Sequence, residues 1–208
     1  MTALDEGALR TAHMVASVLL GYPDERLYGG HEVLAGAVAG LPEGEVRTRL
    51  AAFLEHARAA DRVELAAHYV ATFDLKRRCC PYLTYYAYGD TRKRGAALLR
   101  FKHAFRSAGF ELADGELPDH LAVVCELSAR GAVREARRLL QENRAGVELL
   151  RRALEAEHSP YAGVVAAVLA TLGPASPREQ EAALRLASQG PPAEEVGLEP
   201  YAVMEASR

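Results

Sequence analysis

Isoleucine is absent from this 208-residue chain, and no β-branched run appears anywhere in it. A β-sheet protein relies on such runs, so their absence removes sandwiches, barrels and parallel sheets from consideration. Cysteine is also scarce. Cys79, Cys80 and Cys125 form an odd set with two adjacent members, a poor disulfide framework, which fits a reducing compartment. The seven histidines stand singly, with no H-x-x-x-H pair, and there is no C-x-x-C, so the usual helical and loop chelates are missing and neither a metal nor a cofactor is expected. The adjacent thiols read as small buried side chains.

Catalytic signatures are equally absent. No glycine-rich phosphate loop, P-loop or G-x-S-x-G elbow occurs, and no Ser/His/Asp order stands out, so nothing recommends an enzyme. No basic stretch precedes the first apolar segment, where Asp5 and Glu6 stand instead, and a run such as 162–172 is too short to span a bilayer. The expected location is the cytoplasm, without stable membrane association. A net charge of −3 offers no global field for nucleic acid.

What is present is helical. Half of the residues are hydrophobic and a quarter charged, and alanine, leucine, arginine and glutamate dominate. Helical spacing predicts helices over about 6–20, 33–38, 45–59, 61–73, 91–108, 132–142, 146–157 and 161–172, with a last short one ending near 187. In the fourth of these, Leu65, Tyr69 and Phe73 share a face. Pro118 is placed to open a further helix whose inward stripe is Leu117, Leu121, Val124, Cys125 and Ser128. Gly109 is placed to cap the 91–108 helix. The expected fold is all-α, one helical domain over 1–189, with a tail over 190–208 kept irregular by Pro191, Pro192, Gly197 and Pro200 and expected to be disordered.

Three features could carry recognition. Tyr82, Tyr85, Tyr86 and Tyr88 cluster in the least regular region, after Pro81. In the 91–108 helix Arg92, Lys93, Arg100, Lys102, His103 and Arg106 lie opposite the apolar arc, as a solvated face, as a hold for a phosphate backbone with the nearby tyrosines stacking on bases, or as a contact for an anionic cofactor or acidic partner through Arg92, Arg100 and Arg106; the acidic total favours the solvated face. Glu116, Leu117, Pro118, Asp119 and His120 place two carboxylates and a histidine beside an apolar helix face. They are either a local helix start or an acceptor for a basic amphipathic peptide, with apolar anchors for affinity and carboxylates for orientation.

The segments Tyr82-Leu83-Thr84-Tyr85-Tyr86, Gly89-Asp90-Thr91-Arg92-Lys93-Arg94-Gly95, Gly109-Phe110-Glu111-Leu112 and Glu116-Leu117-Pro118-Asp119-His120-Leu121 closely resemble the nitrate reductase delta-subunit type of molybdenum cofactor assembly chaperone. Leu19-Leu20-Gly21-Tyr22-Pro23 and Gly197-Leu198-Glu199-Pro200-Tyr201 strengthen the resemblance. It implies an all-helical chaperone of the redox-enzyme maturation group, without catalytic activity. Its implied partner is the apo catalytic (alpha) subunit of respiratory nitrate reductase, held through its N-terminal segment while molybdenum cofactor and iron–sulfur cluster are inserted. Molybdenum cofactor biosynthesis proteins are further candidate partners. The E-x-P-D-H motif of that group falls on Glu116, Pro118, Asp119 and His120, and with Leu117, Leu121, Tyr82, Tyr85 and Tyr86 it makes the expected peptide site. A helical adaptor for some other partner is the alternative.

Overall fold

Asp5 accepts a hydrogen bond from the Ala8 amide at 2.7 Å, which caps the first helix, α1 (Glu6–Leu19). The computed structural model describes residues 4–112 and 115–189, and among them the fold is an all-α bundle of twelve α-helices with no strand. After α1 come α2 (Glu25–Tyr28), α3 (His31–Ala39), α4 (Glu45–Ala59), α5 (Arg62–Tyr69), α6 (Tyr85–Tyr88) and α7 (Arg92–Ser107). The second half supplies α8 (Leu121–Ala129), α9 (Val133–Glu142), α10 (Arg144–Ala156), α11 (Tyr161–Thr171) and α12 (Pro177–Gln189). The expected irregular tail lies outside the described residues.

Two helices are apolar nearly all round and therefore sit inside: α8, which buries seven residues from Leu121 to Ala129, and α11, which buries seven from Tyr161 to Leu169. The first helix packs between them, α4 covers another side of α11, and α10 covers a third with α12 outside it. One polar link ties α1, α8 and α11 together. His13, fully buried, lies 2.7 Å from Ser128 Oγ through Nδ1 and 3.0 Å from Thr171 Oγ1 through Nε2. The Thr171 hydroxyl donates to Val168 O at 2.6 Å, so it must accept from His13, which fixes the proton on Nε2. Burial, aided by Arg137, pushes the His13 pKa down to about 4.

Tyr161 centres a cluster of rings, with Phe53 at 4.8 Å, Phe73 at 5.0 Å, Tyr69 at 5.7 Å and His68 stacked at 6.0 Å. Each favourable ring pair contributes about 0.5–1.5 kcal/mol beyond area burial. The expected stripe Leu65, Tyr69 and Phe73 is buried, but the helix expected over 61–73 is not continuous. After Tyr69 the backbone widens into a π-helical turn, Val70–Asp74, closed by Leu75 N–H donating to Val70 O. Thr72 and Phe73 are both buried in that turn, and Thr72 Oγ1 meets His68 Nε2, which also contacts Ser159 Oγ at 2.9 Å. Lys76 and Arg78 then pair with Glu157.

The helix expected to open at Pro118 begins instead at Leu121, with His120 as its N-cap. Pro118 sits in the preceding turn, and Leu117, expected on the inward stripe, is 38% exposed. The short α2 and α6 were not expected. Gly109 follows the end of α7 with φ +80°, the left-handed turn that glycine adopts without strain.

Candidate functional site

The two most distinctive segments of the sequence, around Tyr82 and around His120, are joined by a short antiparallel bridge. Leu83 N–H donates to Asp119 O at 2.8 Å and Leu121 N–H donates to Pro81 O at 3.0 Å, which pairs Tyr82 with His120. Their rings meet edge to face at 5.2 Å. The amides on either side of the bridge cannot reach water, so this pairing satisfies groups that would otherwise be orphaned.

Asp119 locks the bridge from beneath. It is fully buried, and its Oδ2 accepts from Thr84 Oγ1 at 2.5 Å and from the Thr84 amide at 3.2 Å. Arg94 reaches in from α7, with Nη2 3.6 Å from the same oxygen and Nε donating to Thr84 Oγ1 at 3.2 Å. The guanidinium also lies over the Tyr82 ring at 5.3 Å and bonds Asp90 at 3.4 Å. Asp119 therefore serves as an internal tie. The expectation of a carboxylate facing an incoming peptide is corrected here: the side chain is fully buried and turned to Thr84 and Arg94, with its Oδ1 left without a hydrogen-bond partner among the described residues.

His120 caps α8, because its Nδ1 accepts from the Ala122 amide at 3.2 Å. That bond requires a neutral ring with the proton on Nε2. Burial pushes the pKa down to about 4, outweighing the opposite pull of Asp119 and Asp74.

Above the bridge runs a groove of two adjoining chambers. The first, about 250 Å³, is lined by Ser17, Gly21 and Tyr22 at the end of α1, by Tyr69 and Tyr82, by Glu116, Leu117 and His120, and by Ala122, Val123 and Glu126 on the outer side of α8. The second, about 260 Å³, has Phe105, Phe110, Glu111, Leu112, Leu127 and Arg130 on its walls. Arg26, Glu116, Val123 and Glu126 line both chambers. Gly115, with φ +90°, turns the chain so that Glu116 stands exposed at the shared wall. Glu126 pairs with Arg130 at 2.6 Å and Arg26 with Asp24 at 3.1 Å, which leaves Glu116 without an ion-pair partner among the described residues. The surface is mixed: aromatic and aliphatic side chains alternate with the carboxylates of Glu111, Glu116 and Glu126 and the guanidinium groups of Arg26 and Arg130.

Of the residues singled out in the sequence, Tyr82, Glu116, Leu117 and His120 line this groove. Pro118, Asp119 and Leu121 lie buried behind it. Tyr85 and Tyr86, expected as a groove wall, belong to the core instead. Tyr86 donates to Arg78 O at 3.0 Å and packs on Gly146 of α10, where even a Cβ would come within 3.1 Å of the ring. Arg92, Arg100 and Arg106 are exposed on α7 and line neither chamber. The residues missed are Tyr22, Tyr69, Phe110 and Glu126. A signal existed for two of them, since Gly21-Tyr22-Pro23 and Gly109-Phe110 were both noted as distinctive.

Residues 41–167 match the family model described as the nitrate reductase delta subunit. The chain is 42% identical over 156 residues to the nitrate reductase-like protein NarX of Mycobacterium tuberculosis, an alignment that covers 75% of this chain and 23% of that longer protein. It is 31% identical over 156 residues to the probable nitrate reductase molybdenum cofactor assembly chaperone NarJ of Bacillus subtilis, covering 75% of this chain and 85% of the relative. It is 30% identical over 152 residues to the nitrate reductase molybdenum cofactor assembly chaperone NarJ of Escherichia coli K12, covering 72% and 64% respectively.

Proposed function

The chain belongs to the nitrate reductase delta-subunit family, a family of assembly chaperones rather than enzymes, and on that premise we propose that it captures the N-terminal segment of an apo nitrate reductase catalytic subunit in the groove between α1 and α8. The observation that carries this reading is the groove's lining: Tyr22, Tyr82, Leu117 and Val123 offer apolar contact, and Glu116 offers an unpaired carboxylate. A basic amphipathic peptide suits such a surface, since aromatic anchors supply affinity and rim charge supplies orientation.

No bond-making residue is required. Binding the unloaded partner stabilises that form by RT ln(1 + [L]/Kd), about 2.7 kcal/mol at a hundredfold excess over Kd. It also competes with premature docking of the same segment on the membrane anchor. Molybdenum cofactor and an iron–sulfur cluster, both cargo of the partner, enter while the segment is held in the cytoplasm. The loaded partner presents a different surface, affinity falls and the chaperone departs.

Calorimetric titration with the catalytic subunit's N-terminal peptide tests the proposal against a scrambled control. Tyr82→Ala and Glu116→Gln are expected to weaken binding by about tenfold and about threefold, with the second effect fading at high salt. Wild-type binding that both variants leave unchanged would move the site elsewhere on the chain. No binding of the peptide at all would remove the N-terminal segment as the target and favour an adaptor for another partner.

A further inference from the structure

The outer face of α7 is strongly basic. The helix carries Arg92, Lys93, Arg94, Arg100, Lys102 and Arg106 and no carboxylate, although the whole chain is net −3. Arg94 turns inward to Asp119. Among the described residues no carboxylate lies within ion-pair distance of Lys93, Lys102 or Arg106, and Arg100 bonds only the neutral Tyr88 hydroxyl at 2.8 Å. Three cations crowd the first turn, the helix end at which the macrodipole disfavours positive charge. In the middle of this face Leu99 is 65% exposed. A basic rim around an apolar centre is shaped for an acidic segment with its own apolar residues.

The chain contains one. Residues 190–208 hold Glu194, Glu195, Glu199 and Glu205 against Arg208 alone, interleaved with Val196, Leu198 and Val203. We propose that this segment folds back on its own chain as an acidic strap across the outer face of α7, with its glutamates on Lys93, Arg100, Lys102 and Arg106 and an apolar residue over Leu99. Reach is no obstacle. Nineteen residues beyond Gln189 can extend about 60 Å, against a radius of gyration of about 17 Å for a domain of this size. The tether also makes weak contacts sufficient, since a short flexible link holds its end at roughly millimolar effective concentration. The strap depends on nothing argued about the groove's ligand.

Lys76, Lys93 and Lys102 are the only lysines in the sequence, which makes zero-length carbodiimide cross-linking of the full chain unusually readable. Lys76 is paired with Glu157 and so provides an internal control. The expected products, mapped by mass spectrometry, join Lys93 or Lys102 to Glu194, Glu195, Glu199 or Glu205 within one molecule. They should fall about fivefold in the exposed double variant Arg100→Glu/Arg106→Glu, as the loss of two weak surface pairs implies. They should fall further at ~1 M salt, where the Debye length is about 3 Å, while the Lys76–Glu157 product persists. Formation of the control product without any α7–tail product would overturn the proposal. So would tail products on Lys76 as abundant as those on α7, or products that join labelled to unlabelled chains in a mixed-isotope sample.

Discussion

Two buried regions of this molecule are built on opposite principles. Around Tyr161, five aromatic rings from α4, α5, the π-turn and α11 fill space mainly by ring contact, with polar bonds confined to its edges, where His68 meets Ser159 and Thr72 and Tyr69 donates to Leu20 O. Around Asp119, a carboxylate, a guanidinium, a hydroxyl and two main-chain bonds hold two segments far apart in sequence at one fixed spacing. The ring cluster tolerates small shifts, because dispersion contacts are individually weak and non-directional. The polar junction tolerates few, because an unpaired charge in its interior costs several kcal/mol. It also carries the groove, since Tyr82 and His120 are the bridge residues and line the first chamber. The difference teaches that stability and positioning are separable here, and substitutions can test that separation.

The largest effect is expected from Tyr161→Ala, which empties the middle of the ring cluster and should cost about 4 kcal/mol by urea unfolding. Its effect on peptide affinity, measured under conditions where the variant is still folded, should be slight. Next comes Asp119→Ala. Removing the carboxylate leaves the buried Thr84 amide and hydroxyl without their acceptor and takes from Arg94 its buried counter-charge, Asp90 alone remaining, a loss of about 3 kcal/mol. Unlike Tyr161→Ala, it should also weaken peptide binding, because the Tyr82–His120 bridge loosens. Equal binding losses in the two variants would erase the distinction between the regions.

A smaller effect separates His13 and His120 by pH. Both His13 and His120 have pKa values pushed down to about 4, against an ordinary value of 6.5 in the unfolded chain. Between those values the unfolded chain binds more protons than the folded one, so stability is complete above pH 6.5 and declines as pH falls toward 4. The loss reaches about 2 kcal/mol per histidine by pH 5. His120→Asn keeps an acceptor for the Ala122 amide, asparagine being a good N-cap. Its stability at pH 7 should lie within about 1 kcal/mol of wild type, while its decline toward acid is shallower. An unaltered decline would mean that His120 titrates normally in the folded protein.

How much of this was legible in the sequence divides along the same line. Helices read from periodicity were found nearly in place, as in α4, because an amphipathic face declares itself locally. Tyr161, Phe73 and Tyr69 were legible as apolar positions for the same reason. The junction was not. Glu116 and Asp119 look alike in a motif with one proline between them, and either could have been the exposed carboxylate. Only the pairing of two segments separated by more than thirty residues decides that Asp119 turns inward to Thr84 while Glu116 stays out. Tyr85 and Tyr86 misled for a related reason, since a tyrosine cluster beside a distinctive motif suits a groove as well as a core. Gly146, a single small residue on α10, makes room for Tyr86 inside.

The finest test returns to Tyr161. Its hydroxyl is fully buried, and no group among the described residues bonds to it. Burial drives the phenol's pKa upward, so it stays neutral throughout the working range. A neutral hydroxyl without a protein partner contributes little net stability, whereas one in a network contributes about 1 kcal/mol. Tyr161→Phe should therefore change the unfolding free energy by less than about 1 kcal/mol in either direction. At Thr84, Thr84→Val removes a hydroxyl that donates to Asp119 and accepts from Arg94, and should cost about 2 kcal/mol. If the two hydroxyl deletions proved equally costly, the Tyr161 hydroxyl would be tied into a polar network at the centre of the ring cluster, and the contrast between a dispersive centre and a polar junction would no longer describe this fold.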